Sequence, residues 1–150
     1  MRLTLDFDYR KIRNMIQGSS LETGIYVGCD SQVRGKSTDF VTVIIIHIDS
    51  RHGARIFHDT NRIERRLSLR ERLWKEVELA SLAALALEDS VGSRPFSVHL
   101  DLNTDPKHRS NVVTREAIAY IRALGLEPVV KPDAFAATHA ADHIVHREHL

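Results

Sequence analysis

A mixed five-stranded α/β sheet, an antiparallel meander extended by parallel crossovers and flanked by helices, is the fold the sequence predicts. Three observations predict it. Residues 25–58 hold three strand-like runs joined by short polar turns. From residue 68 onward, helical and strand periodicities alternate. No repeat, low-complexity tract or linker divides the 150 residues, a length that suits one domain with a substantial core.

Each element follows from local chemistry. Asp8 or Asp6 caps a short leading helix within residues 8–18, about Tyr9 to Gln17, with Ile12 and Ile16 on one face and Gly18 as the stop. Ile25 to Ser31 alternates as a strand, placing Ile25, Val27 and Cys29 on one side and Tyr26, Gly28 and Asp30 on the other. A polar turn over residues 31–39 leads into FVTVIIIHI, residues 40–48, a β-branched run that reads as a strand buried on both faces. Ala54 to His58 pairs back as a third strand. Ser68, with Glu71 three residues later, starts the longest helix, to about Asp89, and Leu69, Leu73, Val77, Ala80, Ala84 and Leu87 form its apolar stripe. Then come a strand over residues 96–102, a helix over 110–124 ended by Gly125, a short strand over 127–131 and a terminal helix from Ala134 to about His146. The single domain thus spans 1–150, with its core at about 20–146.

Composition narrows the function classes. Hydrophobic residues make up 43% and charged residues 27%, as in soluble globular proteins. Lys+Arg 21 against Asp+Glu 20 excludes binding to nucleic acid or membrane by bulk positive charge. The single cysteine, Cys29, excludes an intramolecular disulfide framework and a cysteine-cluster zinc site. No signal peptide and no apolar run near the roughly 20 residues of a membrane span is present, so a cytoplasmic location is expected. Charge is nonetheless segregated: residues 51–75 hold eight Arg or Lys against three acids, and residues 76–105 six acids against one Arg. A basic block beside an acidic one suits an enzyme that attracts a polyanion and holds a metal near it.

The acids carry the chemistry. Asp30 and Asp101 interrupt otherwise apolar strands, and a buried carboxylate needs a cation, a metal or a hydrogen-bond network. Strand alternation permits both on one face. Glu76 falls at the edge of the long helix's apolar stripe, whereas Glu71 and Glu78 lie roughly opposite it. Asp142, in HAADHIVH, belongs to the terminal helix.

This order of acids resembles the RNase H-like superfamily: an Asp in the first strand (YVGCDSQ), a Glu in the first long helix (LWKEVEL), an Asp in the fourth strand (VHLDLN) and an Asp in the last helix (HAADH). The phrases GCDSQV, SLRERLWKEVELA, SNVVTREA and VKPDAFAATHAAD are similar to its YkuK branch. The resemblance covers about residues 20 to 145. It implies a metal-dependent nuclease that hydrolyses phosphodiester bonds in RNA, DNA or hybrids with two Mg²⁺ or Mn²⁺ ions. Asp30, Glu76, Asp101 and Asp142 match the superfamily's catalytic, metal-holding acids, with Glu71 and Glu78 as neighbouring alternatives for the helix position. The basic, Trp-rich handle of hybrid-cleaving RNases H has no counterpart, for the one Trp is Trp74.

Other constellations weigh less. His139, His143 and His146 share a helix face but lack the further ligands and the HExxH base of a zinc enzyme. His139 or His143 can serve beside Asp142 as a proton shuttle, and His99 can orient Asp101. Ser31 and Gln32 are placed to touch a phosphate or to cap a turn. Arg62, Arg65, Arg66, Arg70 and Arg72, extended by Lys107 and Arg109, form a candidate phosphate track. Basic charge at a helix N-terminus opposes the macrodipole, which favours a binding role. A non-catalytic module that keeps the fold and binds nucleic acid or protein is the alternative. Oligomeric state is not legible.

Overall fold

A computed structural model describes residues 3–49, 53–102, 111–131 and 133–136. The elements run α1 (Tyr9–Gln17), β1 (Gly24–Arg34), β2 (Ser37–Asp49), β3 (Gly53–Ile63), α2 (Leu69–Val91), β4 (Phe96–His99), α3 (Asn111–Ala123) and β5 (Pro128–Val129). They build one five-stranded sheet in the order β3-β2-β1-β4-β5. The first three strands pair antiparallel, and β4 and β5 join in parallel. This is the predicted mixed architecture. None of the described helices is long and apolar enough to cross a membrane.

Local signals set the helix ends. The Asp8 side chain accepts the Lys11 N–H at 3.1 Å and caps α1. Ser68 and Glu71 close a reciprocal capping box at α2, which satisfies two N–H groups that the helix itself leaves unpaired. The apolar stripe of α2 starts one turn later than expected. Leu69 is 48% exposed, because the capping box, not packing, holds the first turn.

The sheet has two apolar faces. On one, Ile25, Val27 and Cys29 meet Phe40, Ile44 and Ile46 beneath Leu73, Val77, Ala80, Ala84 and Leu87 of α2, with Ile12 and Ile16 of α1 at the side. Burying each large aliphatic chain there contributes about 1.5–3 kcal/mol. On the other, Val41, Val43 and Ile45 pack with Tyr26 and Ala136.

Two strands are longer than the sequence suggests. Residues 31–39 are not an extended turn: β1 runs to Arg34, β2 starts at Ser37, and only Gly35 and Lys36 lie between. Gly35 takes a φ of 58°, the left-handed region a tight turn of this kind requires. The polar residues here belong in strands because cross-strand partners satisfy them. Likewise β3 continues past His58 to Ile63. Conversely, regular β4 ends at His99, though backbone bonds from Leu100 to Val129 and from Lys131 to Leu102 keep its extension beside that of β5. The expected terminal helix lies, after Ala136, outside the described residues. So do Lys107, Arg109, His139, Asp142, His143 and His146.

Candidate carboxylate site

The parallel register positions the two strand acids. The last β1–β4 pair is Gly28 with His99, so Asp30 and Asp101 each stand two residues further on and share a sheet face. Regular pairing of β1 with β4 stops there, while its pairing with β2 runs on to Arg34. The acids therefore sit where the sheet opens along β1. Burial raises the Asp30 carboxyl from its ordinary value to about 6, and the negative charge of Asp101 adds to the rise. The Ser31 N–H, Arg72 and Lys131 oppose it only in part. Asp101 has its own cation, with Lys131 Nζ 2.7 Å from its Oδ1.

Glu76 approaches from the α2 face. It is 6% exposed, and its Oε2 accepts a short hydrogen bond from the Ser31 hydroxyl. Arg72, one helical turn before Glu76, donates through Nε to Ser31 Oγ at 3.1 Å and through Nη2 to the Ser31 carbonyl at 2.9 Å. Arg72 thus fixes Ser31. Burial pushes the Glu76 carboxyl well up, and the charge of Asp30 pushes further, against the pull of Ser31 and Arg72. Of the candidate glutamates Glu71, Glu76 and Glu78, Glu76 is the one buried against the sheet and within electrostatic reach of Asp30 and Asp101. Glu71 closes the capping box and pairs with Arg65 at 3.1 Å, and Glu78 pairs with Lys75 at 3.0 Å.

His99 is occupied elsewhere. Its Nδ1 accepts the Ala136 N–H at 3.1 Å, which leaves the ring proton on Nε2, where it donates to Ser97 Oγ at 3.0 Å. Burial lowers its pKa to about 4, so the ring stays neutral. It packs among Tyr26 and Phe135 and ties residues 133–136 to the sheet. Asp101 is left to Lys131. Cys29 is buried and its thiol pushed well up by burial, which makes it inert.

The remaining arginines are dispersed. Arg65 and Arg70 each pair with one glutamate, Glu71 and Glu116, and Arg66 donates to the Gly35 carbonyl at 3.1 Å. Arg62 grips Asp39. A cavity of about 600 Å³ among Ile63, Leu67 and Trp74 opens on the side of α2 away from Glu76, and neither Asp30 nor Asp101 lines it.

Oxygen donors of this kind suit a hard divalent cation, and the repulsion carried by Asp30 is what such a cation relieves. The arrangement meets that need only in part. Among the described residues no group of three or more His, Cys, Asp or Glu stands ready to hold a metal ion, since Glu76 is turned to Ser31 and Asp101 to Lys131. Sequence reasoning missed Lys131, Arg34 and Asp39, whose roles depend on strand register.

A model of the Ribonuclease H-like family matches residues 9–146. No curated protein and no solved structure matches the chain.

Proposed function

The chain belongs to the ribonuclease H-like family, and on that premise we propose that it is a metal-dependent nuclease hydrolysing phosphodiester bonds in nucleic acid. The observation that carries the reading is Asp30: a partly buried carboxylate, raised to about 6, beside a second acid on the same sheet face. Perturbation by burial together with a like charge is typical of functional carboxylates. Asp30 and Asp101 would hold Mg²⁺ or Mn²⁺, with Asp142 as the family's further ligand and Glu76 beside them. A bound divalent ion supplies an acidified water and neutralises charge at the leaving oxygen.

The protein's own groups do the rest. Arg72 and Ser31 fix Glu76 in one orientation, so its carboxylate needs no reordering on binding. Lys131 neutralises Asp101 until a divalent cation takes its place. Exposed arginines hold the substrate backbone, which needs positive charge but no sequence readout. The test is cleavage of RNA, single- and double-stranded DNA and hybrids with Mg²⁺ or Mn²⁺, beside Asp30→Asn. Metal-dependent cleavage lost in the variant is expected; cleavage the variant retains refutes the reading.

One observation favours a non-catalytic nucleic-acid-binding module instead: no three described acids converge. It predicts salt-dependent binding without turnover. Charge reversal at Arg65 and Arg66 then abolishes binding, and Asp30→Asn does not.

A further inference from the structure

The two edges of the sheet are built differently. β5 is two residues long and begins with Pro128, which has no N–H to offer a further strand. β3, at the opposite edge, runs for eleven residues and pairs, among the described residues, with β2 alone. Only Ile63 of its residues is buried. A long edge presents a row of backbone N–H and C=O groups to another strand, and proteins usually blunt it with proline, lysine, a bulge or shortness. β3 holds neither proline nor lysine, and the irregularity in its pairing lies at the hairpin end, between His47 and Asp49 of β2.

The charges of β3 are self-complementary. Arg55, Phe57 and Asp59 alternate along one face, opposite Ile46, Ile44 and Thr42 of β2. Arg55 is exposed, and its side chain has no ion pair among the described residues. Asp59 Oδ2 accepts the Asp6 N–H at 2.9 Å and the Asn61 amide at 3.4 Å, which leaves Oδ1 open. The Asp6 contact comes from the helix-covered face, where Leu3, Leu5 and Phe7 pack. It reaches the Asp59 side chain and adds no strand to the edge.

Antiparallel pairing with the β3 of a second copy, about a twofold axis perpendicular to the sheet, sets side chains of the same face opposite one another. Centred on Phe57, it places Arg55 opposite the second copy's Asp59 and Asp59 opposite the second copy's Arg55. The two Phe57 rings then meet, and residues 53–61 of the strands overlap. Centring on Arg55 or Asp59 opposes like charges instead. Centring on Ile56 or His58 leaves both charges opposite neutral residues. One register therefore pairs both, and cross-strand pairs of opposite sign are the stabilising ones.

We infer that β3 is a self-association surface, through which two copies of this chain join edge to edge, with Arg55 against Asp59, into one ten-stranded sheet. Main-chain hydrogen bonds supply the affinity and the two ion pairs supply the register. The inference goes beyond the nuclease reading and does not depend on it. Asp30 and Asp101 lie on the far side of β2 from this edge, so the joint leaves the carboxylate site uncovered.

Sedimentation velocity of the full chain from about 1 μM to 1 mM measures the association. A concentration-dependent dimer is expected. Arg55→Glu and Asp59→Arg, each alone, oppose like charges twice in every dimer and weaken it at least about tenfold. An equimolar mixture of the two variants restores association, because the reversed charges then meet each other and the native charges do likewise. Circular dichroism checks both folds. Should Asp59→Arg unfold for want of its bond to Asp6, the exposed Arg55→Glu still decides. A wild type that stays monomeric throughout, or an Arg55→Glu chain that dimerises as well as wild type, overturns the proposal. So do two folded variants whose mixture fails to associate. None of these arms reads cleavage, so their failure leaves the nuclease reading untouched.

Discussion

Asp30 and Asp39 lie on adjacent strands and on one face of the sheet, yet their carboxyls are driven in opposite directions. Burial and the charge of Asp101 raise Asp30 to about 6. The Arg62 guanidinium, bonded to both oxygens of Asp39, holds that carboxyl below its usual range, with Arg34 assisting. Burial pushes both carboxyls up, so burial alone does not decide the sign. Neighbours do. The protein compensates the charge of Asp39 in full and leaves that of Asp30 short of a cation, which is how a fastened acid differs from one available to a ligand.

Neutralisation breaks this comparison most directly. A rise from 3.8 to about 6 corresponds to a cost of about 3 kcal/mol when Asp30 is ionised. Asp30→Asn is therefore expected to raise stability at pH 8 by up to about 3 kcal/mol. Asp39→Asn leaves two arginines without their shared partner and lowers stability by about 2 kcal/mol, less than for a fully buried pair because both are half exposed. Urea melts of both variants decide the matter. Destabilisation of equal size in the two would mean that Asp30 is as structural as Asp39.

The pH dependence sharpens the contrast. The folded protein holds a proton on Asp30 more tightly than the unfolded chain does, so Asp30's contribution falls as pH rises from about 4 through 6. The Asp39 carboxyl is lowered in the fold. Its contribution is present above the unfolded pKa near 3.9 and is lost as pH falls below it. Wild type minus Asp30→Asn, followed between pH 4 and 7, should show the first decline. A flat difference would contradict it.

Magnesium supplies a related, smaller effect. Added at pH 8, it should stabilise the wild type by about 2.7 kcal/mol at a hundred times its Kd. Asp39→Asn should keep that response and Asp30→Asn should lose it. Thermal melts with and without metal provide the readout, and an unchanged response in Asp30→Asn would place any metal elsewhere.

What the sequence disclosed follows the range of each interaction. Both described helix caps, Asp8 and Ser68, were legible because a cap is satisfied within three residues. The shared face of Asp30 and Asp101 was legible because alternation is local, and the parallel pairing of β1 and β4 then aligned them. Residues 31–39 read as a turn because Gln32, Arg34 and Asp39 look solvated. Their role as strand residues depends on Arg62, 23 positions from Asp39. The bond from Arg72 to Ser31, 41 positions away, was not legible either. His99 was placed on the correct face, but its partners come from Ser97 and from Ala136, 37 residues later. Periodicity cannot reveal cross-strand partners at such separations.

Lys131 supplies the smallest expected effect and the finest distinction between the two acids. Its ammonium stands 2.7 Å from Asp101 Oδ1, where it takes up negative charge that otherwise falls on Asp30, and it lowers the Asp30 carboxyl slightly. The lysine is 48% exposed on its side chain, and exposed pairs of this kind contribute about 0.2–1 kcal/mol. Lys131→Met should therefore cost little stability, while freeing an Asp101 oxygen and deepening the local deficit of positive charge. Both effects favour a divalent cation, so Mg²⁺ or Mn²⁺ should bind about two- to fivefold more tightly, the factor that 0.4–1 kcal/mol represents. Isothermal titration in the absence of nucleic acid measures this without reference to activity. If the lysine instead helps to gather the acids for the metal, the same variant binds it more weakly, and Lys131 then belongs with Arg72 and Ser31 as a group that holds the site in shape.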